Sequence, residues 1–242
     1  MTEVYGKDFA QVYNDTWPNF GLRMWPLLAG EVARRCPAAR TWLDLCCGTG
    51  SLLQILGEQG YAATGVDRSP HQLAHARRNA PGATLVEADV REFSLPGDFD
   101  VVTSLFDSLN YLTIKRDLER VFRRARRHLA EGGLFIFDMN TFAGLQDHWC
   151  RASVVRKPDR VTCTETSFDA KTALGHWRLT GFVPEGALYR RFEEHHVQRG
   201  YTPEEIEDLL TRAGFGFRKY DGDSHGRPRR RSGRLVYVCR HT

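Results

Sequence analysis

The run Leu43-Asp44-Leu45-Cys46-Cys47-Gly48-Thr49-Gly50-Ser51, entered from Thr41-Trp42, decides how this chain folds. A short apolar stretch runs into a turn with glycine at 48 and 50, and Leu52 to Leu56 continue the apolar pattern beyond it. This is the grammar of strand, glycine turn and helix, the unit that opens a doubly wound sheet. Glycine at these positions frees the backbone for left-handed conformations and for close approach to a ligand.

Moving outward, the alternation repeats. Ala62 to Val66 reads as a strand, and Ser69-Pro70-His71-Gln72 opens a helix with Ser as N-cap, Pro in the first turn and Gln closing a capping box. Further strands are predicted at Thr84 to Glu87, Phe99 to Thr103 and Leu134 to Phe137, the last two separated by an arginine-rich helix. Strands alternating with helices imply right-handed crossovers and a mostly parallel sheet covered on both faces. Ahead of this core, Phe9, Val12 and Tyr13, then Leu22, Trp25, Leu28 and Val32, predict two capping helices. Behind it, Val161 to Phe168, Leu174 to Val183 and Leu188 to Gln198 read as strands without intervening helices, with Pro184-Glu185-Gly186 as a turn. The α/β rhythm returns with a capping box at Thr202-Pro203-Glu204-Glu205 and a stop at Gly214, followed by two last strands. The expected architecture is α/β: a seven-stranded sheet built from residues 41–141 and 202–242, a helical cap over 1–40, and an antiparallel β insert over 142–201 above the active site.

A chain of 242 residues, 41% hydrophobic, can bury one good-sized core. Its six cysteines include the adjacent Cys46 and Cys47 and are otherwise scattered, which suits neither a disulfide framework nor zinc-ligand spacing, so no metal is expected. The start of the chain lacks a secretory pattern and no segment reads as membrane-spanning; a cytoplasmic protein with no membrane partner is expected. The net charge of +4 collects at Arg123 to Arg127, where it forms a solvated helix face, and at Arg227 to Arg234, which reads as a loop.

Ligands of such sheets bind beyond the strand carboxyl ends, at the turn after the first strand. There Asp44 opens the loop, Asp67 ends the second strand, and Ala88-Asp89-Val90 ends the third. An acid at the end of the second strand can accept hydrogen bonds from ribose hydroxyls, so the set points to a nucleoside cofactor. Leu53 occupies the last glycine position of the dinucleotide fingerprint, which disfavours a pyrophosphate and hence NAD.

Leu43 to Gly50 resembles the cofactor loop of class I S-adenosylmethionine-dependent methyltransferases, a family with a Rossmann-like fold. The likeness extends to Phe9-Ala10-Gln11-Val12-Tyr13, similar to that family's helix over the cofactor, to Asp67 and Asp89-Val90, and to Ser104 through Tyr111, similar to its segment beside the methyl group. It implies S-adenosylmethionine as cofactor, with contacts at Tyr13, Asp44, Cys46, Gly48, Thr49, Gly50, Asp67, Arg68, Asp89, Val90, Leu105 and Phe106. Tyr13 would lie against the sulfonium, which an aromatic face attracts. Cys46 departs from the family, where glycine is frequent. Within the family the chain is most similar to small-molecule N-methyltransferases acting on amino sugars or glycine-like amines.

The segment Ser104-Leu105-Phe106-Asp107 does not resemble the Asn/Asp-Pro-Pro-Tyr/Phe motif of enzymes methylating planar nitrogens, and no Pro-Cys nucleophile exists, which leaves small amines, hydroxyls or carboxylates. An ammonium must lose a proton before its lone pair can attack. Glu194, His196 and Gln198 share one strand face by the two-residue period, so His196 is expected to accept or relay that proton with Glu194 and Gln198 orienting it or the acceptor. Asn110, with Asp107 and Tyr111, is a rival acceptor contact. Two alternatives stand beside this reading: an RNA methyltransferase gripping phosphate with Arg227 to Arg234, and a non-catalytic cofactor-binding module. Either a monomer or a homodimer suits the sequence.

Overall fold

The computed structural model describes residues 4–17 and 19–241. At its centre lies β1 (Thr41–Leu45), whose successive side chains Trp42 and Leu43 are both fully buried on opposite faces. Burial on both faces requires layers above and below, and the chain supplies them. One layer holds α1 (Lys7–Thr16), α2 (Phe20–Arg35), α3 (Ser51–Glu58) and α4 (Pro70–Asn79); the other holds α5 (Lys115–Arg127) and α7 (Pro203–Arg212). Trp42, Leu28, Leu52, Leu56 and Ile136 pack the first core, and Leu43, Phe122, Phe135, Phe137 and Leu209 the second. In α2 the buried stripe is Met24, Leu27, Leu28 and Val32, whereas Leu22, expected on it, faces outward.

Alongside β1 run β2 (Ala62–Asp67), β3 (Thr84–Glu87), β4 (Phe99–Ser104) and β5 (Leu129–Asn140), all parallel, followed by β10 (Phe215–Asp221) and β11 (Arg234–His241). The strand order is β10-β11-β5-β4-β1-β2-β3, and β11 runs antiparallel to both its neighbours. This is the expected Rossmann-like, mostly parallel seven-stranded sheet. Because β1 pairs with β2 on one side and β4 on the other, the chain reverses its winding there, and a crevice opens beyond the end of β1.

The insert is antiparallel β as expected but larger than predicted. It carries four antiparallel strands, β6 (Ala152–Lys157), β7 (Arg160–Asp169), β8 (Leu174–Glu185) and β9 (Leu188–Arg199), preceded by a short helix α6 (Phe142–His148). Edge strand β6 escapes sequence reading because Val154 and Val155 are both exposed, so no alternation marks it. At the hairpin, β8 continues through Glu185 and Gly186 takes the left-handed turn position (φ 62).

The capping box at Thr202 forms with both of its bonds. That at Ser69 does not: the Ser69 hydroxyl accepts the Gln72 backbone N–H at 3.3 Å, but the Gln72 side chain returns no bond. Among the described residues, no helix is long and apolar enough to cross a membrane.

Candidate active site

Two adjoining cavities occupy the crevice beyond β1. The larger, of about 230 Å³, is bordered by Tyr13, Cys46, Gly48, Asp67, Arg68, Asp89, Val90, Ser108 and Tyr111. The smaller, of about 40 Å³, shares Tyr13, Cys46 and Gly48 and adds Asp44, Thr49, Leu105 and Phe106. Eleven of the twelve residues named as cofactor contacts therefore meet here, and Gly50 alone lines neither cavity. A side-chain carbon at Gly50 would stand 3.0 Å from Ala76 Cβ, so this glycine serves the approach of α3 to α4.

The loop owes its shape to left-handed backbone at Cys46 (φ 58), Gly48 (φ 55) and Gly50 (φ 81). Cys46 accepts a conformation that costs an L-residue about 1–2 kcal/mol, which explains why glycine suits that position. Asp67 anchors the loop from β2: one carboxylate oxygen accepts the Gly48 N–H at 2.9 Å and the other the Ser69 N–H at 2.9 Å. Burial raises its pKa against the pull of these bonds. Each oxygen keeps a lone pair, as pairing with two ribose hydroxyls requires. Asp44 is buried behind the loop, where desolvation pushes its carboxyl up to about 7 although the Thr103 hydroxyl donates to it at 2.7 Å. Asp89 is held low by Arg91, whose Nε lies 2.9 Å from its Oδ1.

The missing third glycine of the dinucleotide fingerprint has a local answer. A carbon placed on Gly65 of β2 would meet Leu53 Cδ1 at 2.6 Å and Cys47 Sγ at 2.8 Å. Close packing of helix on strand is thus provided by a glycine on the neighbouring strand, under the leucine that replaces the expected one.

Beside the loop stands an aromatic wall. Tyr5, Tyr13 and Tyr111 border the larger cavity, with Phe9, Trp177 and His196 behind them. The Tyr111 hydroxyl hydrogen-bonds His196 Nδ1 at 2.9 Å and receives the Tyr5 hydroxyl at 3.1 Å. Burial pushes all three phenols upward in pKa and keeps them protonated. His196 Nε2 faces Glu194 Oε2 at 3.3 Å, within ion-pair distance but out of hydrogen-bond alignment. Glu194 also accepts the backbone N–H groups of Tyr5 at 3.0 Å and Gly6 at 2.9 Å, which ties the insert to the start of α1.

Glu194, His196 and Gln198 do lie on one face of β9, and that face is buried. None of the three borders either of these two cavities; His196 reaches the larger one through Tyr111. Asn110, expected as an acceptor contact, is spent on the backbone. Its amide donates to Asn140 O (2.9 Å) and Arg199 O (2.7 Å), and its oxygen accepts the Asn140 N–H (2.9 Å), so it clamps β5 to β9.

Sequence reading missed Tyr5 and Arg234. Tyr5 precedes the first helix and belongs to no periodic pattern. Arg234 hides in a basic run, yet it is largely buried, pairs with Asp107 and Asp138, and lies 5.1 Å from the Phe20 ring and 5.9 Å from that of Phe106. Asp138 in turn accepts the Phe106 and Asp107 N–H groups at 2.6 and 3.1 Å, fixing two consecutive left-handed residues (φ 63 and 49), of which Phe106 borders the smaller cavity. Of the supposed phosphate grip, Arg231 pairs with Asp147 and Arg229 with Asp221 as well.

Comparison with known proteins agrees with this geometry. A methyltransferase domain family matches residues 43–133. The chain is 30% identical over 228 residues to dTDP-3-amino-3,4,6-trideoxy-alpha-D-glucopyranose N,N-dimethyltransferase of Streptomyces venezuelae, covering 92% of this chain and 90% of that one. To dTDP-4-amino-2,3,4,6-tetradeoxy-D-glucose N,N-dimethyltransferase of Saccharopolyspora spinosa it is 30% identical over 233 residues, covering 93% and 92%. The crystal structure of an S-adenosylmethionine-dependent methyltransferase from Clostridium acetobutylicum superposes with a TM-score of 0.82 at 25% identity, covering 97% of this chain and 98% of that one. With its loop, its strand-end acids and its relatives in agreement over nearly the whole length, the chain belongs to the S-adenosylmethionine-dependent methyltransferases.

Proposed function

We propose that the methyl acceptor is an amine nitrogen of a small molecule, an amino sugar carried on a nucleoside diphosphate. The relatives from Streptomyces venezuelae and Saccharopolyspora spinosa are N,N-dimethyltransferases of dTDP-linked amino sugars, and the proton chemistry of the cavity wall favours the same class. S-adenosylmethionine, when bound, supplies an electrophilic methyl group. Asp67 would hold its ribose, Asp89 and Val90 its adenine side, and the Tyr13 ring its sulfonium end.

The observation that carries the reading is the Tyr111 hydroxyl, which borders the cavity and hydrogen-bonds the buried His196 Nδ1 at 2.9 Å. An alkylammonium of pKa ~10 is only about a thousandth deprotonated at neutral pH and needs an acceptor for its proton. Tyr111 can take that proton on its oxygen while passing its own to His196, and Glu194 faces the ring to balance the charge. A carboxylate acceptor has no proton to lose and would need no such relay, whereas an ammonium must be deprotonated before it can attack. His196 is therefore a positioning and relay residue acting through Tyr111.

Incubating the protein with methyl-labelled S-adenosylmethionine and a panel of amino sugars, free and dTDP-linked, tests the reading. Label is expected on an amine nitrogen, and His196→Gln should lower turnover while leaving the affinity for S-adenosylhomocysteine nearly unchanged. Label found only on oxygen or on RNA would replace it.

A further inference from the structure

On α4, one residue is left over by the way the loop is anchored. The Ser69 backbone N–H, which Gln72 would engage in a capping box, is already donated to Asp67 Oδ1 at 2.9 Å. Gln72 is consequently free of its expected duty. Its side chain is 1% exposed, and neither the oxygen nor the nitrogen of its amide has a hydrogen-bond partner among the described residues. It borders the larger cavity, and a carbon built on Gly48 would stand 4.0 Å from Gln72 Oε1 and 3.9 Å from Tyr13 Cε1. The amide thus flanks the same glycine as the aromatic ring proposed for the sulfonium end.

A buried amide with both ends unpaired costs stability, and folded chains keep such groups where a ligand pairs them. Leucine or methionine would fill the place without that penalty, because the neighbours Gly48 and Tyr13 offer an apolar wall. We propose that Gln72 is a cofactor-positioning residue whose amide hydrogen-bonds the polar groups of S-adenosylmethionine that lie beside Gly48 and Tyr13. Its ability to donate from nitrogen and accept on oxygen suits either the ribose hydroxyls or the amino-acid end of the cofactor. Unlike Asp67, whose carboxylate also builds the loop, Gln72 is left by its neighbours to serve the ligand alone.

Two measurements on Gln72→Met, a near volume-conserving change, test this: calorimetric titration with S-adenosylhomocysteine, and thermal unfolding of the free protein. Affinity should fall about tenfold, equal to ~1.4 kcal/mol, while the free protein unfolds at the same or a higher temperature. An affinity within twofold of the parent overturns the proposal. So does a lower unfolding temperature of the free variant, whatever its affinity, since the amide would then already have a partner without the cofactor. Gln72→Leu repeats both readings with a different apolar shape, and neither depends on knowing the acceptor.

Discussion

At the scale of single residues, the site is governed by what burial does to charge. Asp44 sits 4% exposed at the end of β1, next to the Asp67 carboxylate, with the Thr103 hydroxyl as its hydrogen-bond donor. Desolvation lifts its pKa from the ordinary 3.8 to about 7. Between those two values the folded chain holds a proton that the unfolded chain has lost, so this group makes stability fall as pH rises, and the loss is complete above 7. The penalty reaches ~4 kcal/mol at most. In Asp44→Asn the amide oxygen still accepts from Thr103 but carries no charge. Its unfolding temperature should match the parent near pH 4 and exceed it progressively toward pH 8; a difference that stays flat with pH would show that Asp44 does not titrate in this range. Cys46 illustrates a second rule of this scale: a side chain is tolerated at a left-handed position when the surrounding bonds, here those of Asp67 to the loop, determine the turn.

Between elements, close approach and shared hydrogen bonds replace local preference. Gly65 lets α3 settle onto β2, so Gly65→Ala should destabilise by about 1–3 kcal/mol through collision with Leu53 and Cys47, read as a lower denaturant midpoint with unchanged slope. Asn110 holds the ends of β5 and β9 with three bonds, and Asn110→Ala leaves Asn140 N–H, Asn140 O and Arg199 O unpaired. A loss of about 2–4 kcal/mol is expected, with S-adenosylhomocysteine affinity nearly unchanged. Strong loss of that affinity at preserved stability would return Asn110 to the ligand-contacting role that its sequence position suggested.

On the scale of the whole molecule, three parts of the chain close around one crevice. The insert reaches the N-terminal segment through Glu194, which accepts the Tyr5 and Gly6 N–H groups, and the core reaches the same segment through Ser69, whose hydroxyl donates to Tyr5 O at 2.9 Å. Tyr5 is thereby held at φ 66, with its ring on His196 and its hydroxyl on Tyr111. Severing the strap in Glu194→Ala should cost about 2 kcal/mol and speed hydrogen exchange at the Tyr5 and Gly6 amides before any effect on the sheet. Equal protection of those amides in parent and variant would mean that the cap is held by its aromatic packing alone.

The sequence by itself determined the order of strands and helices in the seven-stranded core, the loop after β1, the acids at strand ends and the capping box at Thr202. Each of these is written in residues a few positions apart, where backbone geometry and side-chain period act directly. Even the shared face of Glu194, His196 and Gln198 follows from the pleat of one strand. That none of those three borders the cavity, and that His196 stands behind Tyr111, was decided only by tertiary structure. Tyr5 meets Glu194 across 189 positions and Tyr111 meets His196 across 85, and Arg234 leaves a basic loop for a pair of buried carboxylates. Contacts over such separations arise because whole faces must be buried and every buried charge must find a partner. That requirement leaves no local trace in the order of amino acids.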